Sequence, residues 1–267
     1  MRIAIATSQK WINLAESDRI LAGALRRRGH DVSTLVWNAA PVACDAVVIR
    51  SCWDYHLHVD QFLTWAEAFT VPVINEPSIL RWNARKTYLF DLSAAGIPVV
   101  PSRHIVNGTL TPRLFDELEA DRLVVKPVIG ASAYGTRIVT VQEEQAVKDV
   151  LVQPFVDEIV SGEWSLIVID GVFAHAVLKR PRQGDFRVQA ELGGLITPAQ
   201  APIELRKLAE RVVATVKPRP VYARVDVVAT ADGPLLMELE LIEPELFLTH
   251  APDSASLFCD AIERRLP

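Results

Sequence analysis

The sequence is short of the residues that stabilise proteins outside the cell. It has three cysteines in 267 residues, at positions 44, 52 and 259. An odd, widely spaced set makes neither a disulfide framework nor a zinc-ligand spacing, so a reducing cytoplasm is the expected setting. It also lacks a basic surplus: 28 Lys and Arg against 33 Asp and Glu leave a net charge of −5. That argues against nucleic acid as a partner, because phosphate backbones are bound by excess positive charge. A local basic pocket for one small phosphate is not excluded. No apolar run reaches membrane-spanning length, and the first, Ile3-Ala4-Ile5-Ala6, stops at Thr7-Ser8-Gln9-Lys10. Such a run is a strand and is too short for a signal-peptide core, so no membrane contact is expected. Nor does a glycine fingerprint follow it, which counts against a nicotinamide-dependent enzyme on this unit. Internal repeats and low-complexity segments are absent.

What is present alternates. After the opening strand, residues 17–28 set Ile20, Leu21, Ala24 and Leu25 on one helix face, with Gly29 as a stop. Residues 31–36 and 46–50 read as buried strands, 59–69 as a helix and 71–75 as another short strand. Strands alternating with helices predict a doubly wound parallel sheet, whose ligands sit beyond the carboxyl ends of the strands. Arg50-Ser51-Cys52-Trp53-Asp54-Tyr55 follows such an end. A helix is expected over 83–95, a strand over 123–128, a small-residue loop over 130–135, a strand over 138–141 and a short helix near 143–149. Antiparallel strands are expected from 151 onward, at 164–170, 172–179, 221–229 and 235–241, with a helix over 202–216. The predicted class is α/β and α+β: a parallel α/β domain over 1–80, then a two-lobed unit divided into 81–152 and 153–267.

The chemistry concentrates in few places. Side chains on a strand repeat every second residue, so Glu238 and Glu240 share one face, and Arg224 and Asp226 share one face of the partner strand. A turn centred on Asp232 puts Asp226 opposite Glu238 and Arg224 opposite Glu240. Like charges facing each other across a sheet are unfavourable, and a divalent cation held by one or two carboxylates and phosphate oxygens removes the conflict. A solvated hairpin face explains the same stripe equally well, and Arg224 could neutralise it without metal. Lys126 ends a buried strand just before the 130–135 loop, whose backbone amides can cradle phosphate. That loop lacks P-loop spacing, and a surface lysine before a flexible loop is the commoner arrangement. Lys86 falls on the predicted 83–95 helix. Gln153-Pro154-Phe155-Val156 joins the two lobes and offers an apolar wall, or is simply a linker. Lys179-Arg180-Pro181-Arg182 and Arg187 supply cations suited to carboxylate or phosphate, with Arg182 read as solvated. His175 reads as a packed strand residue.

The order of these features resembles the ATP-grasp superfamily: lysine, lysine before a small-residue loop, hinge, arginine segment, then Asp and a Glu-x-Glu strand. The likeness runs from about Arg81 to the end, behind a domain of the kind those enzymes carry. Within the superfamily, five strings resemble the glutathione-synthetase-like group of the cyclo-ligase that makes D-cycloserine from O-ureido-D-serine. They are Arg50-Ser51-Cys52-Trp53-Asp54-Tyr55, Gly162-Glu163-Trp164-Ser165-Leu166, Lys179-Arg180-Pro181, Gly184-Asp185-Phe186-Arg187-Val188-Gln189 and Met237-Glu238-Leu239-Glu240-Leu241-Ile242-Glu243-Pro244.

The resemblance implies an ATP-dependent ligase of antibiotic-biosynthesis type. It would activate the carboxylate of an amino-acid-like substrate as an acyl phosphate and form a C–N bond, between two molecules or within one. A glutathione- or peptide-ligase-like reaction is the alternative substrate assignment, and a non-catalytic ATP-binding module the alternative class. It also implies roles. Lys86 and Lys126 hold the ATP phosphates, with Gly130 and Ser132 in the covering loop. Gln153, Phe155 and Val156 frame adenine, and Glu158 or Glu163 takes the ribose. Arg187 and Lys126 act on the transferred phosphate. Arg50, Trp53, Asp54, Tyr55, Arg180 and Arg187 select the substrate, with Asp54 pairing an amino group; Trp53 and Tyr55 could equally serve packing between domains. Asp226, Glu238 and Glu240 hold magnesium, or manganese in its place. Two departures stand out: the third metal position is often Asn in related glutathione-type ligases but is Glu240 here, and the covering loop has only two glycines. Partners are limited to a small molecule, with a homo-oligomer left open.

Overall fold

The opening strand is apolar on both sides, and the chain buries both. The computed structural model describes residues 1–140, 145–189 and 192–266. Strands β1 (Arg2–Thr7), β2 (Asp31–Val36), β3 (Ala46–Ile49) and β4 (Val73–Ile74) form a parallel sheet in the order β2-β1-β3-β4. Ile3 and Ile5 of β1 pack into one core with α1 (Glu16–Arg27), while Ala4 and Ala6 join the opposite core with α2 (Val59–Glu67). One helix on each face makes the sheet doubly wound. Its order reverses between β1 and β3, so a crevice opens where their carboxyl ends part.

Of the helix expected over 83–95 only the later part forms, as α4 (Tyr88–Ala94); α3 (Pro77–Asn83) precedes it and ends at the expected start, and Lys86 lies in the turn between them. Tertiary bonds take up the start of the expected helix. The Asn83 amide donates to the Leu239 carbonyl at 2.9 Å and its oxygen accepts from the Leu241 amide at 2.8 Å. The Lys86 backbone amide donates to Val128 at 2.9 Å instead of to its own helix.

The second sheet is antiparallel and comprises β5 (Arg103–Leu110), β6 (Arg122–Pro127), β7 (Arg137–Thr140) and β8 (Gln145–Pro154), in the order β5-β8-β6-β7. α5 (Pro112–Glu117) covers its apolar face, with Leu114 and Phe115 against Val125 and Val152. Strand β5 and α5 had no clear signal in the sequence. The short helix expected near 143–149 is not there from Gln145 on, and residues 143–144, like Val141 of the expected 138–141 strand, lie outside the described residues. Residues 145–149 include helix formers, but 145–148 pair with β5 and continue a strand that β6 joins from Val150 on, and that pairing outweighs propensity.

The third sheet, also antiparallel, has the order β11-β10-β9-β12-β13. Its strands are β9 (Glu163–Ile169), β10 (Val172–Arg180), β11 (Leu195–Pro198), β12 (Tyr222–Thr230) and β13 (Gly233–Glu240). One face is apolar throughout: Leu166, Val168, Ala176, Ala223, Val225, Leu236 and Leu239 pack on α6 (Ile203–Thr215). The other face is split. Ile167, Ile169, Val177 and Tyr222 sit under the first sheet's core, and further along the same rows come Glu163, Ser165, Lys179 and Asp226.

The first and third sheets are joined by specific polar bonds. The Asn75 side chain donates to the carbonyls of Tyr222 and Leu241, both at 2.9 Å, and accepts from the Val221 amide at 2.6 Å. The Tyr222 hydroxyl lies 2.7 Å from the carbonyls of Ile49 and Ile242. Helix α7 (Ser254–Glu263) then returns to pack Phe258 and Ile262 with α1. Among the described residues no helix is long and apolar enough to cross a membrane, and all three cysteines are free thiols.

Candidate active site

Between the three sheets lies a cleft of about 850 Å³. Its walls begin with the hairpin β12–β13. Asp226 stands opposite Glu238 and Arg224 opposite Glu240, the register expected from the sequence, but by a different route. The tight turn is Ala231-Asp232, which alone would set Met237 against Asp226; a bulge between Asp226 and Val227 shifts the pairing by one residue. A bulge re-aims side chains, and here it keeps Glu238 facing the cleft.

The charges in this part of the cleft pair with one another. Lys86 forms an ion pair with Glu238, and its ammonium also donates to the Gly130 carbonyl at 3.0 Å. Lys179 pairs with Glu163 and stands 3.3 Å from Asp226. Arg224 bridges Asp226, at 3.0 Å, and Glu240. Ser165 adds a hydroxyl donated to Asp226 at 2.5 Å. Burial would raise the Asp226 carboxyl, but Arg224 and Lys179 outweigh it and hold the group below its usual range. Burial acts likewise against Glu238, and Lys86 with Lys126 overcomes it. Glu240 goes the other way. Burial, with the charges of Glu238 and Asp226, exceeds the help from Arg224 and pushes it up to about 7. Lys126 has no ion pair among the described residues; burial pulls its ammonium below the ordinary lysine value despite the charge of Glu238.

The opposite end of the cleft is apolar. Phe155, Val156 and Met237 pack against buried Ile159, Val188 and Val228, and Phe186 stands edge-on to Phe155 at 6.1 Å. The Phe155 ring also carries the Arg122 guanidinium at 4.2 Å. Gln153 is buried at the rear, donating to Ser102 at 2.9 Å. Above the charged part, Ser132 and Ala133 have φ of 50° and 55° and the loop turns back through hydrogen bonds from Tyr134 to Ala131 and from Thr136 to Ala133. Tyr134 reaches His56 of the first domain, ring centres 5.2 Å apart. Arg187 enters from the loop after β10, braced by Asp185 at 2.9 Å and 3.1 Å. That contact, with the backbone amides of Phe186 and Arg187, holds the Asp185 carboxyl far below its ordinary value.

The cleft thus brings together Lys86, Lys126, Gly130, Ser132, Gln153, Phe155, Val156, Glu163, Trp53, Asp54, Tyr55, Arg187, Asp226, Glu238 and Glu240. Three expected residues do not line it. Arg50 is 2% exposed, bound to Asp18 at 2.9 Å and to the Pro244 carbonyl at 2.6 Å, and stacked over Tyr222; it clamps the fold and does not reach a substrate. Arg180 is exposed because strand alternation gives the cleft face to Lys179. Glu158 lies off the cleft in the turn Asp157–Ser161. Glu163 does line it, but its carboxylate is engaged by Lys179. Asp54 is partly satisfied, accepting from Trp37 at 2.8 Å, and Tyr55 is buried against Phe62. Among the described residues no group of three acids, histidines or cysteines forms a ready metal cage. Sequence reasoning overlooked Ser165, Glu243 and Trp11 and gave Lys179 no role of its own. Period-two alternation could have singled out Lys179; nothing local marks the others.

Two family descriptions match the chain. Residues 3–75 match the N-terminal domain of D-cycloserine synthetase DcsG, and residues 92–246 match the RimK-like ATP-grasp domain. The chain belongs to the RimK-like ATP-grasp family. The cycloserine biosynthesis protein DcsG of Streptomyces lavendulae is 30% identical over 251 residues, 83% of each chain. The crystal structure of D-cycloserine synthetase DcsG matches this ATP-grasp fold with a TM-score of 0.85, over 100% of both chains at 26% identity. The ATP-grasp ligase PsnB, solved with a phosphomimetic variant of its minimal precursor, Mg and ADP, shares the fold at a TM-score of 0.66 and 18% identity over 98% of each chain. This ATP-grasp chain is an ATP-dependent ligase that forms C–N bonds.

Proposed function

We propose that the chain activates the carboxylate of an amino-acid-like substrate with ATP and closes an amide-type bond onto a nitrogen, of a second molecule or of the same one. The observation that carries this reading is the meeting in one cleft of Lys86, Lys126 and Arg187 with the Glu238–Glu240 strand, beside an apolar slot. Phe155, Val156 and Met237 suit a flat adenine. Lys86 and Lys126 face the phosphates, and the loop with Gly130 and Ser132 closes over them. Arg187, held in aim by Asp185, neutralises charge on the phosphoryl group as it passes to the substrate carboxylate. Carboxylate and phosphate are both anionic, so these cations must hold them at reacting distance. The nitrogen then displaces phosphate from the acyl phosphate. Trp53, and less directly Asp54 and Tyr55, shape the substrate end. In this reading residues 1–80 present the substrate, while 81–152 and 153–267 clasp the nucleotide.

Magnesium fits the donor set. The Glu240 carboxyl stands near 7 because burial and two neighbouring carboxylates leave it under-neutralised, which is the environment a hard cation relieves. An ion held by two carboxylates here would be completed by phosphate oxygens. Glu238 and Glu240 would hold it, with Asp226 a third ligand only if its contacts to Ser165, Arg224 and Lys179 open. The ion would screen the phosphates from one another and from the attacking oxygen. An ADP-release screen over amino acids and ureido-amino acids tests the reading, with Glu238→Gln as control. Magnesium-dependent ADP release that needs both a carboxylate substrate and Glu238 supports it; tight ATP binding without turnover across the panel overturns it.

A further inference from the structure

Most acids in the cleft have a named partner, but one does not. Glu243 lines the cleft at 8% exposure, yet no ion pair and no side-chain hydrogen bond from another residue reaches its carboxyl among the described residues. The cations that might have served it are committed: Lys86 to Glu238, Lys179 to Glu163, Arg224 to Asp226 and Glu240. Its own backbone amide donates to it, and a carboxylate that lines the cleft keeps further acceptor capacity that a ligand can take up.

The position is also held firmly. Along the segment after β13, Leu241 donates its amide to Asn83 at 2.8 Å, and the Ile242 carbonyl faces the Tyr222 hydroxyl at 2.7 Å. The Glu243 carbonyl accepts from Trp53 at 2.8 Å, and the Pro244 carbonyl accepts from Arg50 at 2.6 Å. Four consecutive residues are therefore clamped by side chains from elsewhere in the fold. The indole of Trp53, itself edge-on to Trp11 at 5.1 Å, is one wall of the cleft here. A rigid backbone that presents a carboxylate with spare acceptor capacity to a cleft is the arrangement of a recognition residue.

Charge then selects the ligand group. Phosphates and the substrate carboxylate are anionic and would be repelled. An ionised carboxylate offers acceptor sites alone, and a charged donor makes the stronger hydrogen bond to it. Two cations belong to the proposed reaction: the magnesium assigned above to Glu238 and Glu240, and the ammonium of the amino-acid-like substrate, which is left for the Trp53 side of the cleft where Glu243 stands. We infer that Glu243 is the ammonium-recognition residue of this ligase, accepting hydrogen bonds from the substrate's amino group against the Trp53 wall. This takes over the role expected of Asp54, one of whose carboxylate oxygens is occupied by Trp37. Arg50 contributes only by fixing Pro244.

The inference rests on the ligase reading above, and the experiment separates the two. ADP release is measured for wild type, Glu243→Gln and Glu243→Asp with the common L-amino acids, D-serine, D-alanine and O-ureido-D-serine, each beside its α-hydroxy counterpart. In Glu243→Gln, kcat/KM for the amine-bearing substrate should fall by about 100-fold, chiefly through KM. The α-hydroxy acid, which has no cation to lose, should change by less than about threefold. Glu243→Asp should recover part of the preference. Equal losses for both substrates, no loss for either, or an altered magnesium dependence would each overturn the assignment of Glu243. Wild type that releases no ADP with any member of the panel would overturn the ligase reading instead.

Discussion

One face of the third sheet carries two regions built from the same strands. Toward the first sheet, β9, β10 and β12 show Ile167, Ile169, Val177 and Tyr222, all buried in an apolar core. Toward the cleft they show Glu163, Ser165, Lys179, Asp226 and Arg224. The first region is held by dispersion and area, with a few polar bonds at Asn75 and Tyr222. The second is held by ions that neutralise one another and that ATP and its metal would have to re-pair. The apolar half sets the position of strands whose continuation lines the cleft. Perturbing it should therefore cost stability first and activity second, and the reverse should hold at the rim of the cleft.

The largest effect is expected where the two regions meet. Lys179→Met leaves Glu163 and Asp226 without their shared buried cation, and removing one partner of such a set costs about 3–5 kcal/mol. Urea unfolding should show that loss, and Glu163→Gln in the same chain should restore part of it. Next, Glu238→Gln should lower ADP turnover by about 10²–10³-fold, the usual cost of removing one charge-stabilising group, while the urea midpoint shifts less than for Lys179→Met because the Lys86–Glu238 pair is more exposed than the Lys179–Glu163 pair. A fall in stability matching the fall in turnover would erase the proposed contrast. Tyr222→Phe strips the hydroxyl from the carbonyls of Ile49 and Ile242, costing about 1–3 kcal/mol. Single-turnover rates should stay near wild type at temperatures where the variant is folded. The smallest effect is expected one residue from the largest. Arg180→Ala, on the exposed side of β10, should change stability by no more than about 0.5 kcal/mol. A large loss of activity there would return Arg180 to the substrate site and break the parity argument.

The contrast between Lys179 and Arg180 shows what was readable in advance and what was not. The order of strands within each sheet does not follow from alternation and a turn signal, whereas the Glu238–Glu240 stripe and the opposition of Asp226 to Glu238 do. Even there the turn sits one residue earlier and a bulge makes up the difference. The helix over 83–95 was misread because Asn83 and Lys86 make bonds to distant backbone, which no local pattern announces. Strand β5 was missed for a similar reason: its exposed and half-buried residues follow no period of two, and they are ordered by pairing with β8.

By itself the sequence determined that this chain has a parallel α/β part followed by antiparallel sheets, with two lysines, the 153–156 segment and a carboxylate strand in ATP-grasp order. Those features depend on local periodicity and on residue chemistry, which a linear string records. Only the tertiary structure decided which charges share a cleft, since ion pairing depends on distance through space. It took Arg50 out of the site by burying it against Asp18 and Pro244, and it brought Glu243 in by clamping its backbone to Trp53. Both outcomes come from contacts separated by up to 194 positions along the chain, a range over which no spacing rule operates.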